Sequence, residues 1–85
     1  MTIWKYSLKV GRNSIAMPDG AKILRCGVQS GEVVIWALLD PAKDRQERQF
    51  DVVGTGWVLH GDMGDYIDTV QVGPLVWHIF ETSQE

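Results

Sequence analysis

Apolar residues recur at every second position along most of this chain, and that period constrains the fold more than any other feature. In "IWKYSLKV" the side chains of Trp4, Tyr6, Leu8 and Val10 fall on one face, while Lys5, Ser7 and Lys9 fall on the other, as in a half-buried strand. Gly11, Arg12 and Asn13 break the pattern. "SIAM" resumes it as a short strand, and Pro18, Asp19 and Gly20 then make a turn. Alternation continues over residues 21–28, with Leu24, Cys26 and Val28 inward and Lys22 and Arg25 toward water. "SGE" at 30–32 reverses the chain into "VVIWALLD".

Residues 33–39 do not alternate. Val33 to Leu39 offer apolar groups to both faces of any sheet, a pattern usual for strands covered on both sides. Asp40 and Pro41 end the run, and "AKDRQE" reads as a polar connection with a possible helical turn. "RQFDVV", "WVLH", "YIDTVQV" and "LVWHIFE" supply the remaining strand-like segments. There is no internal repeat, low-complexity tract or amphipathic helix beyond a turn or two. The expected fold is all-β, a small antiparallel barrel or sandwich of about six to eight short strands.

With 85 residues the chain makes one domain, residues 1–85, and a chain so short buries only about 60 to 65% of its unfolded surface. Closing a barrel covers one face only. The apolar surplus in 33–39 and "LVWHIF" therefore predicts a homo-oligomer, in which a second copy covers the other face.

The net charge of −3 argues against duplex DNA as a partner, since modules that bind it carry a basic excess. It leaves room for a small anionic ligand, because local cations outweigh a weak total. The single Cys26 forms no internal disulfide, which fits a reducing compartment and a cytoplasmic protein. Lys5 and Lys9 interrupt the start before a signal-peptide core can form, and no run reaches membrane-spanning length.

Chemistry is sparse. His60 and His78 with Asp62, Asp65 and Asp68 match no zinc or calcium spacing, so no metal or other cofactor is expected. Cys26 and the serines sit in no nucleophile signature, and no acidic residue stands in an apolar setting that would raise its pKa, so no catalytic residue is expected and the protein reads as a non-enzyme. "GTG" at 54–56 lacks the ending of a phosphate loop and precedes no helix; it reads chiefly as a strand bend needing positive φ, with a secondary role in shaping a site. Aromatic and basic residues together suggest stacking and phosphate contacts, with Trp4, Trp36 and Trp77 among the rings and Lys5, Lys22 and Arg45 among the cations. The candidate ligand-binding residues are Trp57, Gly54, Thr55, Gly56, Arg48, Arg25 and Tyr6.

"IWKY", "MPDGAKIL", "IWALLDP", "FDVVGTG" and "VWHIFE" together resemble a family of small uncharacterised phage and prophage proteins, over almost the whole chain. The resemblance implies a phage context and no activity. In that family's pattern a histidine often follows the glycine triplet, where this chain has Trp57. Small acidic phage proteins without an enzyme signature look like counter-defence factors acting in the host cytoplasm. Two classes compete: a multimeric sponge that sequesters a cyclic nucleotide messenger between subunits, and an inhibitor that binds a host protein through an acidic, nucleic-acid-like surface. A virion or housekeeping component is a third possibility.

Overall fold

The computed structural model describes residues 1–82 and contains seven strands. They are β1 (Thr2–Leu8), β2 (Gly11–Pro18), β3 (Lys22–Gln29), β4 (Glu32–Leu39), β5 (Arg45–Gly54), β6 (Asp65–Val72) and β7 (Leu75–Thr82). Every pairing is antiparallel. The all-β expectation holds, and the architecture is two sheets with orders β1-β4-β3 and β2-β5-β7-β6. No helix among the described residues is long and apolar enough to cross a membrane.

Alternation explains how the sheets meet. Val33, Ile35, Ala37 and Leu39 of β4 face inward onto Phe50 and Val52 of β5 and Ile79 of β7, with Leu8, Met17, Cys26 and Val70 completing one cluster fed by all seven strands. Trp4, Tyr6, Ile15 and Trp77 pack on its margin. Burying a large aliphatic or aromatic side chain contributes about 1.5 to 3 kcal/mol, so this shared cluster is what holds the two sheets together.

The other face of β4 carries Val34, Trp36 and Leu38. Val34 is buried within the same protomer, because Lys5 Nζ reaches across β4 to donate to Gln29 Oε1 at 2.5 Å. Trp36 lies over Gly27, where an added Cβ would stand 2.7 Å from the ring; glycine is required there for the contact. The doubly apolar run is therefore partly sheltered by its own sheet.

Four local expectations are corrected. Leu24 and Val28 are exposed rather than inward: a bulge between Ile23 and Arg25 inserts Leu24 as an extra residue and shifts the register, while Val28, opposite Val33, is exposed near the turn that ends this edge strand. β2 begins at Gly11, whose φ of 93° starts the strand, so residues 11–13 extend it instead of breaking it. "WVLH" forms no strand: β5 stops at Gly54, and residues 57–60 run as irregular backbone. The 41–44 connection is a turn without helix, closed by Lys43 N donating to the Asp40 carbonyl and by Asp40 Oδ1 accepting from Ala42 N, and Arg45 already belongs to β5.

Candidate functional site

The predicted site residues lie on separate surfaces. Gly54, Thr55 and Trp57 line a cavity of about 320 Å³ with Pro74, Leu75, Val76 and Trp77 at one end of the second sheet. The triplet's two glycines have different roles. Gly56 has a φ of 87° and makes the turn, with Trp57 N donating to the Gly54 carbonyl. Gly54 has no positive φ; a Cβ there would meet Trp57 Nε1 at 2.6 Å, so its bareness lets the indole fold back. Trp57 then packs edge-to-face on Trp77, with ring centroids 5.6 Å apart. The bend reading of "GTG" holds for Gly56 and is replaced at Gly54 by close packing. No charged residue lines this cavity, so it has nothing to grip a phosphate.

Beside it, Thr55 Oγ1 lies 2.7 Å from His78 Nε2, and His78 Nδ1 lies 3.0 Å from Thr69 Oγ1. Tyr66 OH continues the chain, 2.6 Å from Thr69 Oγ1. Both ring nitrogens of His78 are thus engaged, and the residue stitches the turn after β5 onto β6 and β7.

Arg48 lies elsewhere, in a depression of about 490 Å³ whose lining includes Asp19, Glu47, Asp65 and Glu81. Its Nε and Nη2 donate to the two carboxylate oxygens of Glu81 at 2.6 and 2.9 Å, and its Nη1 donates to the Ala21 carbonyl at 2.5 Å. A guanidinium so engaged, among four carboxylates, has little left for an anion. Tyr6 is on the inward side of β1 with its hydroxyl buried. Arg45 is also engaged, its guanidinium carbon 5.2 Å from the centroid of the Trp4 ring.

Arg25 is different. It lines a third depression, of about 560 Å³, with Ile3, Leu24, Val28 and Trp36 on the outer side of the three-stranded sheet. Its Nε donates to the Cys26 carbonyl, and among the described residues no carboxylate pairs with it. Ile3 is 55% exposed and Leu24 43%, so this is an open apolar surface with a free cation at its side.

One buried carboxylate was missed in the sequence. Asp51 on β5 accepts from Arg12 Nε at 3.0 Å and Nη2 at 3.2 Å, and from Thr82 Oγ1 at 2.8 Å. The Arg12 hydrogen bonds hold its carboxyl below the usual range, against the opposing effect of burial. The only hint was its place inside "FDVVG".

Cys26 is fully buried, and burial, then the nearby Asp68 carboxylate, push its thiol up to about 12. The thiol stays protonated near neutral pH and supplies no nucleophile. A disulfide-exchange reagent at mildly alkaline pH is expected to leave native protein unlabelled and to label it fully in denaturant; rapid native labelling would contradict the burial. Among the described residues no three His, Cys, Asp or Glu side chains are placed to hold a metal ion.

Fold and surfaces together define a small antiparallel β-sandwich whose described residues form an apolar depression, an acidic one and, on the outer side of the other sheet, an apolar one with a free arginine. The chain belongs to the family described as Domain of unknown function (DUF7352), whose model matches residues 1–85. No curated protein and no solved structure matches it.

Proposed function

We propose that this chain is a small, non-enzymatic binding protein that works as an assembly of its own copies, joined through the outer face of β1, β4 and β3. The observation that carries this is the cluster of Ile3, Leu24 and Val28, all exposed, around Trp36 in one depression. Each such side chain gains on the order of 1.5 to 3 kcal/mol when covered, and a matching face on a second copy covers them all at once. Ile3→Asp or Leu24→Asp will convert the assembly to single protomers in sedimentation, while Val58→Asp, in the exposed segment after β5, will leave it intact. Identical sedimentation of all three variants and the parent would count against this face.

A second reading adds a ligand to the join, and Arg25 favours it. A free guanidinium beside an indole is the pair that a nucleotide's phosphate and base require. Each copy brings its own Arg25 to the shared face, so an anion there meets more than one cation. In the phage setting implied by the resemblance, such an assembly acts as a counter-defence sponge for a cyclic nucleotide in the host cytoplasm. A thermal-shift panel of cyclic di- and trinucleotides and cyclic ADP-ribose isomers tests it. A shift abolished by Arg25→Ala and kept in Trp57→Ala is expected; no shift with any compound, or one indifferent to Arg25, rejects the ligand.

A further inference from the structure

An antiparallel sandwich has four sheet edges, and here three of them carry a bulge, a side-chain clasp or a proline. On β3 the bulge at Leu24 breaks the edge, and Asp68 Oδ2 accepts from Cys26 N at 3.0 Å. On β6 a second bulge falls between Tyr66 and Asp68, and Asp68 Oδ1 accepts from Thr69 N at 2.8 Å. The start of β2 is clasped by Asn13, which accepts from Lys9 N and donates to the carbonyls of Lys9 and Gly11, and its end is Pro18, which has no N–H to offer. These are the usual devices that stop a sheet from growing.

β1 has none of them. It pairs with β4 through an unbroken register from Thr2 to Leu8, without bulge or proline, and among the described residues no hydrogen bond reaches the backbone groups that point away from β4. Its one potential guard, Lys5, is drawn across β4 to Gln29, away from the free edge.

Charge decides what kind of strand fits. Residues 1–18 contain Lys5, Lys9 and Arg12 and no carboxylate, although the chain as a whole is acidic. A second copy of this segment would bring further positive charge and no carboxylate to the join, which disfavours self-pairing. We propose that the free edge of β1 receives an extended, acidic segment of another protein as an added strand, held by main-chain hydrogen bonds and selected by Lys9, which is exposed just past the strand's end. This docking uses the strand edge and stands whether or not copies join through the outer face.

The test uses the full chain, labelled for amide exchange, and a synthetic peptide matched in length to β1 with alternating glutamate and valine and blocked ends. Alternate amides within residues 3–7 are expected to become protected. A lysine–valine peptide will bind about tenfold more weakly, reflecting like charges across the new pair, and Lys9→Glu will narrow that difference. The glutamate–valine peptide methylated on alternate backbone nitrogens will give no protection. Protection at another strand, equal binding of the methylated or the lysine peptide, or no binding would overturn the proposal. So would prior protection, in the peptide-free protein, of the amides of residues 3–7 that point away from β4, which would assign the edge to a second copy.

Discussion

Phe50→Ala is expected to lower the stability of the fold by about 3 to 5 kcal/mol, the range for removing a fully buried phenylalanine from a packed core. Phe50 is completely buried near the middle of β5, a central strand that pairs with both β2 and β7, where it faces Asn13 and Glu81. Inward side chains of both sheets converge on it. A domain of this length has a total stability of about 4 to 13 kcal/mol, so much of the variant population unfolds at modest denaturant. Phe50→Leu, which keeps most of the volume, is expected to cost about 1.5 kcal/mol or less. Urea midpoints measured with unchanged slopes check both values; a midpoint for Phe50→Ala within error of the parent would mean that the two sheets do not close over this residue.

Arg48→Ala carries the second large effect, about 2 to 3 kcal/mol, and it separates a structural arginine from a ligand-binding one. Arg48 leans over the Phe50 ring, 6.0 Å from its centroid, while bonding both oxygens of Glu81 and the Ala21 carbonyl. Its removal strands a half-buried carboxylate and a carbonyl at once. Arg48→Lys recovers only part of the loss, because an ammonium does not reproduce the two parallel bonds. In the double variant Arg48→Ala/Glu81→Ala the cost falls short of the sum of the single costs, since the stranded carboxylate is gone. If Arg48 instead serves a phosphate, Arg48→Ala leaves the denaturation midpoint untouched and alters only ligand affinity.

Much of the architecture was legible because a strand writes its two faces into alternate positions. Trp4, Tyr6 and Leu8 on β1, and Val33 to Leu39 on β4, fall where the period places them. What escaped was whatever depends on partners distant in sequence. The bulge at Leu24 has no glycine to announce it, yet it turns Leu24 outward and creates the surface that Arg25 and Trp36 share. Arg48 looked free because Glu81, its partner, is 33 positions away and reaches it only through the β5–β7 pairing. Asp51 is the same case: an acid inside an apolar run reads as a surface residue until Arg12 and Thr82 arrive from two other strands.

Trp57 shows the limit from the other side. Its position after "GTG" marked it as special, and it is, but as a ring folded back over Gly54 onto Trp77 rather than as a platform among cations. Backbone turns are written locally, whereas the direction in which an indole leans is set by its neighbours in space. Of the cations singled out in the sequence, Arg45, Arg48 and Lys5 are occupied within the protomer, leaving Lys22 and Arg25 beside the open face.

Sedimentation equilibrium of the unmodified protein, from low to high micromolar concentration, addresses the outer face of β1, β4 and β3 most directly. The account predicts a mass that is a multiple of the 9.6 kDa protomer and that declines toward it on dilution. A mass equal to one protomer at every concentration would contradict it, and would mean that Ile3, Leu24 and Val28 remain in water.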